Sequence, residues 1–234
     1  MKKPSLLSLI AAFACVALSA QTPDYRFGKV SAEELRMTSY DKDPDAAAVY
    51  LYEENSLFYQ IDREIGLTSD YRARIKILKS DGTDQANVSI PYTDEYSVRE
   101  SVFGIDAVAY NLVDGKIVKT PLKKQYIFTE QVGENHKLVK FSIPEVREGT
   151  VIEYKFRKTS KNPTYIPSFR FQHDIPVARC HMQALIPEFF KFNLNLKGYV
   201  KVNIEDGSTN GSVGSGSDMI SFNVREIKAD ATDI

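Results

Sequence analysis

Several short stretches of this chain alternate between hydrophobic and polar residues with a period of two, which is typical of half-buried β-strands. In one of them, Tyr71–Ile77, the polar positions hold Arg72, Arg74 and Lys76. We interpret this basic face as solvated, because no aromatic residues interleave with it as on a nucleic-acid platform. The stretches that predict strands in this way are 71–77, 151–157, 190–197, 200–205 and 220–225.

Two local motifs predict a hairpin and a helix. Asp114-Gly115 lies between Ala107–Val113 and Lys116–Lys119, a strong signal for a tight β-hairpin. Near the N-terminus, Ser31 and Glu34 have the spacing of a capping box, which predicts a short helix over residues 32–37.

Many short strands and a single short helix predict an all-β fold, an antiparallel β-sandwich with one short N-terminal helix. No repeat or clear linker divides the chain before residue 226, so residues 21–226 form one predicted module. The Gly- and Ser-rich stretch 206–217 predicts a flexible hairpin tip. Residues 227–234 are interpreted as the start of a linker.

The first twenty residues have the three parts of a secretory signal peptide. Lys2 and Lys3 precede the apolar run Leu6–Leu18, and small residues follow up to Ala20. The run is too short to span a bilayer core. We therefore expect export, with a periplasmic or cell-surface location after cleavage; a lipid anchor on Cys15 and a buried helix are the alternatives.

Composition excludes some partners. The chain has 234 residues, with 30 Lys and Arg against 31 Asp and Glu, so no charge excess points to nucleic acid. Removal of residues 1–20 also removes one of the two cysteines, which leaves Cys180 alone and no possible internal disulfide. We expect no transmembrane segment in the mature chain.

Cys180 and His181 are neighbours in the chain, which suggests a thiol–imidazole pair. In a strand, however, adjacent side chains point to opposite faces. Ala178, Cys180 and Met182 share the apolar face, so we expect a buried, inert thiol.

Metal and cofactor sites are not predicted. His136, His173 and His181 have no ligands at the spacing of a zinc site. Residues 41–45 resemble the opening of a calcium loop but lack its glycine and its final Glu, so they predict a polar turn. The glycines of 211–216 lie between strands, where a phosphate loop is not expected. We predict no catalytic, cofactor-binding or metal-binding residue.

From Phe27 on, the chain resembles the family known as domain of unknown function 3857, over roughly residues 25–230. The pieces that carry the resemblance are Phe27–Val30, Glu33–Met37, Lys42–Ala46, Val49–Tyr52, Arg74–Leu78, Phe141–Tyr154, Phe171–Gln172, Ile175–Val177 and Ile186–Phe189.

The resemblance implies an exported bacterial module of the kind that precedes a transglutaminase-like domain. No position matches the catalytic motif of that domain, so no nucleophile carries over. The resemblance therefore predicts a non-enzymatic accessory module that contacts a protein partner or a transglutaminase-like domain. A glycan-binding sandwich, with Tyr and Phe stacking on sugars, and a cysteine hydrolase that uses Cys180 stay open as alternatives.

Overall fold

A computed structural model describes residues 24–62, 64–213 and 219–234. The signal peptide predicted over residues 1–20 lies outside this described part. In chain order the elements are α1 (Ala32–Arg36), β1 (Ala48–Ile61), β2 (Ile65–Ile77), β3 (Asn87–Thr93), β4 (Glu100–Val113), β5 (Lys116–Pro121), β6 (Phe128–Gln131), β7 (His136–Ser142), β8 (Val151–Ser160), β9 (Arg179–Pro187), β10 (Asn203–Val213) and β11 (Ile220–Thr232).

The described strands form two sheets. The large sheet has eight strands in the order β10-β11-β9-β1-β2-β8-β4-β5, and the small one has the order β3-β7-β6. The predicted mostly β sandwich is confirmed, but its sheets are not purely antiparallel. β1 and β9 run parallel, an arrangement that the long chain between them, from β2 to β8, allows.

One face of the large sheet packs against the small sheet. Ile75 and Ile152 from the large sheet and Val139 and Phe141 from the small sheet belong to one buried cluster. The opposite face is covered by α1 and the chain around it, and Leu35 of α1 belongs to one buried cluster with residues of β1, β4 and β8. The molecule therefore has a third layer, built from residues 24–47, which are called the N-terminal segment below.

The predicted helix and hairpin both form. In α1 the Ser31 hydroxyl accepts from the Glu34 amide at 3.1 Å, and the Glu34 carboxylate accepts from the Ser31 amide at 2.6 Å. Asp114 and Gly115 both have positive φ, 50° and 75°, as the tight turn between β4 and β5 requires.

The strand predicted over 190–197 is wrong, because these residues form no strand. The preceding strand, β9, is already paired with β1 on one side and with β11 on the other. The chain after Pro187 therefore finds no free sheet edge beside β9, and it passes over the sheet face instead.

Strand β10 begins at Asn203, so the strand predicted over 200–205 is only partly formed. Asp206–Val213, predicted as part of a flexible tip, pairs with β11 along its whole length. The ring of Phe222 occupies the space beside Gly211, which compensates for the missing side chain. Residues 214–218 of the predicted tip lie outside the described part.

Residues 227–234, interpreted from the sequence as the start of a linker, include the last six residues of β11. Ile227, Ala229 and Ala231 are buried there. Their alternation with polar residues continues the strand that begins at Ile220.

Candidate functional site

The buried carboxylate of Glu53 contacts Cys180, the one cysteine among the described residues, and two further polar side chains. Parallel pairing of β1 with β9 places Glu53 opposite Cys180. One carboxylate oxygen, Oε2, lies 2.8 Å from Nε2 of His173 and 3.5 Å from Sγ of Cys180. The other, Oε1, accepts from the Tyr71 hydroxyl at 2.6 Å. Glu53 is 2% exposed and Cys180 is fully buried.

The electrostatics of this cluster keep its donors protonated. Burial raises the pKa of the Cys180 thiol, and the negative charge of Glu53 raises it further. Burial also raises the pKa of Tyr71, with Tyr154 and Glu53 adding to the effect. Thiol and phenol therefore donate to the carboxylate and do not ionise at neutral pH.

This order of groups does not suit nucleophilic catalysis. A reactive cysteine needs a lowered pKa and an adjacent base that can take its proton. Here the carboxylate of Glu53 lies between the thiol and the His173 ring, and the thiol has no access to solvent. The cluster instead joins β1, β2, β9 and the chain that carries His173.

The predicted positions of Cys180 and His181 agree with the structure. Cys180 belongs to the core, while the His181 ring bonds Asp230 at 2.9 Å on the other face. Sequence reasoning missed Glu53 and His173 as neighbours of the thiol. A register shift in β1 between Tyr50 and Tyr52 places Glu53 on the apolar face, and simple alternation does not reveal such a bulge.

The prediction of a solvated basic face on β2 is wrong for two of its three cations. Arg74 is 2% exposed and Lys76 is fully buried, because the N-terminal segment covers this face. The Arg74 guanidinium bonds the carboxylates of Glu153 and Glu34. It also donates to the backbone carbonyls of Asp24 and Arg26, at 3.1 and 3.0 Å.

The remaining groups of this network are also satisfied. Glu153 Oε2 accepts from the Gly28 amide and from the Tyr110 hydroxyl, both at 2.8 Å. Lys76 donates to the carbonyls of Leu35 and Gly149 at 2.7 and 2.6 Å, and burial lowers its pKa to about 8. Buried charges of β2 and β8 thus hold the N-terminal segment mainly by its backbone.

The polar groove on the same face, beyond the N-terminal segment, has a volume of about 580 Å³. Its cations are paired: Arg72 contacts Glu54, and Arg157 contacts Asp70 at 2.5 Å. Phe103, which is 48% exposed, lies at its side. The groove offers hydrogen-bonding groups beside one aromatic ring.

An apolar cleft of about 400 Å³ lies over β9, β10 and β11, on the same face of the large sheet as the Cys180 side chain. Met182, Ile204 and Ile227 lie at its floor. The lining residues of its walls lie within 164–171 and 192–196 and belong to the segments 161–171 and 188–202, which are called wall 1 and wall 2 below. The exposed apolar residues of these walls are Tyr165, Phe189, Leu194, Leu196 and Tyr199.

The part of the chain that the structure describes contains no group of three or more His, Cys, Asp or Glu that could hold a metal ion. Residues 41–45 form the predicted polar turn, closed by backbone hydrogen bonds from Asp43 to Tyr40 and from Ala46 to Asp43. Within the described residues, no helix has the length and apolar character needed to cross a membrane.

Solved structures with a similar fold include a candidate protease from Parabacteroides distasonis ATCC 8503, at 13% identity and a TM-score of 0.52. That match covers 80% of this chain but 36% of the protease, so the chain spans about a third of that protein's length. An M1 zinc metallopeptidase from Deinococcus radiodurans matches at 8% identity and a TM-score of 0.31, over 80% of this chain and 43% of its own. No curated protein matches the chain.

A family model matches residues 66–230, which is most of the chain. The resemblance stated from the sequence is thereby confirmed for the pieces from Arg74 onward, while the pieces between Phe27 and Tyr52 precede the matched range. The chain therefore belongs to the family described as Domain of Unknown Function with solved structure, DUF3857.

Proposed function

We propose that this protein is an exported, non-enzymatic accessory module that binds a protein partner, with a transglutaminase-like catalytic domain as the first candidate. The observation that carries the proposal is the apolar cleft, whose walls expose Tyr165, Leu194 and Leu196 by 64%, 46% and 53%. Apolar surface that is concentrated in one place and rimmed by polar residues is characteristic of protein-binding sites.

The geometry around Cys180 supports a role without catalysis. The thiol is sealed in the core, its pKa is raised, and it donates to a carboxylate. The similarity to a fraction of a longer candidate protease also supports a module that works beside a catalytic domain.

The test is to mix the purified protein with a separately purified transglutaminase-like domain from the same bacterium and to measure complex formation by analytical ultracentrifugation. We expect a one-to-one complex that forms equally well with the Cys180→Ala variant. Absence of a complex, together with hydrolase activity that the Cys180→Ala change abolishes, would support the cysteine hydrolase alternative instead.

Export is part of the same proposal. If residues 1–20 are a signal peptide, N-terminal sequencing of protein from the periplasmic or surface fraction should begin after Ser19 or Ala20. Full-length protein retained in the cytoplasm would contradict export.

Glycan binding is a second candidate, favoured by the polar groove beside Phe103. Aromatic rings next to hydrogen-bonding groups suit the apolar faces and hydroxyls of sugars. A glycan array should then give hits that the Phe103→Ala variant loses, and an array without hits would remove this candidate.

A further inference from the structure

The apolar cleft has the size and the lining of a binding site. Its volume of about 400 Å³ lies within the range of ligand pockets, and no charged side chain lines it. Phe192, Leu194 and Leu196 of wall 2 contribute three apolar side chains at alternate positions. A ligand that fills the cleft must therefore present apolar groups.

The backbone amides and carbonyls of wall 2 can form further hydrogen bonds. Within the part of the chain that the structure describes, residues 193–202 take part in no backbone–backbone hydrogen bond. Their sequence alternates as a strand does, yet β9 leaves them no edge to pair with. An incoming extended peptide can pair with this segment and place alternate side chains in the cleft.

The positive charge of the two wall segments indicates an acidic partner. Wall 1 and wall 2 together carry five cations and a single carboxylate, although the whole chain has a net charge of −1. Lys191, Lys197 and Lys201 are exposed, and none forms an ion pair with the other described residues. Acidic residues on the partner complement this surface.

These observations favour a protein over a lipid surface. A bilayer would remove water from the unpaired amides and carbonyls of residues 193–202 without replacing their hydrogen bonds. A strand satisfies the same groups. The cleft is also concave, whereas an interfacial anchor presents a convex apolar face.

We propose that the apolar cleft and wall 2 form the docking site for an extended, acidic segment of a protein partner, which pairs with residues 193–197 and inserts alternate apolar side chains. The inference rests on the proposed function and assigns its surface.

The experiment uses a fluorescently labelled peptide that alternates valine and glutamate, a second peptide with lysine in place of glutamate, and a third with proline at the central position. Fluorescence anisotropy measures binding to the purified protein. We expect the glutamate peptide to bind about tenfold or more tightly than either control. The Leu194→Asn, Leu196→Asn double variant should weaken that binding about tenfold, and the Lys191→Glu, Lys197→Glu variant should reverse the preference.

The matched control is Val118→Asn, because Val118 is 44% exposed on the distant edge strand β5. It should leave peptide binding unchanged. Equal binding of all three peptides, no binding of the glutamate peptide, or an equal loss in the Val118→Asn variant would overturn the proposal. So would binding to phosphatidylglycerol vesicles that the Leu194→Asn, Leu196→Asn variant abolishes while peptide binding is absent.

The two tests distinguish the position of the docking site from the identity of the partner. If a transglutaminase-like domain binds and the Leu194→Asn, Leu196→Asn variant binds it equally well, the accessory function stands and this docking site is wrong. If no catalytic domain binds while the glutamate peptide does, the site stands and the choice of partner is wrong.

Discussion

The guanidinium of Arg74 donates from Nε to Oε1 of Glu153 at 2.8 Å, and its Nη2 lies 2.7 Å from the same carboxylate oxygen. Both side chains are almost fully buried beneath the N-terminal segment, although each stands on the polar side of an alternating strand. Because neighbouring groups satisfy both partners, the pair stabilises the docked segment as long as both charges are present.

Replacing Arg74 by methionine should lower the free energy of unfolding by about 3–5 kcal/mol, because Glu153 would lose its buried counter-charge. Urea denaturation measures the change. The matched control is Arg157→Met, since the Arg157–Asp70 pair is about two-fifths exposed on each side and should contribute less than about 1 kcal/mol. Equal losses in both variants would contradict a special role for the buried pair.

The buried Lys76 predicts a specific pH dependence. Burial lowers its pKa from 10.5 to about 8, with the Glu34 charge partly opposing the shift. Between these two values the unfolded chain binds a proton that the folded chain lacks, so rising pH favours the folded state. The stability of the wild-type protein relative to Lys76→Met should therefore increase from pH 8 towards pH 10.5. A difference that stays constant or decreases over this range would contradict the shifted pKa.

His173, which precedes β9 and contacts the buried Glu53, and His181, which lies on the other face of the sheet, should differ in their effect on stability. His173→Ala removes a partner of the buried Glu53 carboxylate and a ring that stacks on Tyr50, so it should cost about 1–3 kcal/mol. His181→Ala removes a contact with Asp230, which is 35% exposed, and should cost less than about 1 kcal/mol. Thermal and urea unfolding of both variants provide the comparison. A larger loss of stability for His181→Ala would contradict a stabilising role for the contact between His173 and Glu53.

The Cys180 thiol should react with iodoacetamide only as fast as the whole protein unfolds, because it is buried and its pKa is raised. A cysteine placed at the exposed Ser97 by Ser97→Cys should react rapidly under the same conditions. Mass spectrometry after timed labelling distinguishes the two sites. Rapid labelling of Cys180 in the folded wild-type protein would restore the hydrolase alternative.

Local sequence signals were sufficient where the interaction is local. The capping box from Ser31 to Glu34 and the Asp114-Gly115 turn depend on residues within a few positions of each other, and both form as predicted. The separation of Cys180 from His181 follows from strand geometry alone. These features could be derived without knowing which strands are neighbours.

Other features depended on the order of strands in the sheet. The alternation of Phe190–Lys197 predicts a strand as clearly as that of Ile220–Arg225, yet only the second forms one. The difference is that β9 is already paired by β1 and β11, so residues 190–197 lie over the sheet face and leave the cleft open. Pairing with β11 also makes a strand of the Gly-rich Asp206–Val213.

The mostly β class, the turns and the face on which each β9 side chain lies follow from local patterns, because period-two alternation and turn chemistry act over a few residues. The burial of Arg74 and Lys76 and the contact of Glu53 with His173 and Cys180 instead depend on how distant elements pack. A covering N-terminal layer, a bulge in β1 and a parallel strand pair join residues far apart in the chain, and no local pattern encodes such contacts.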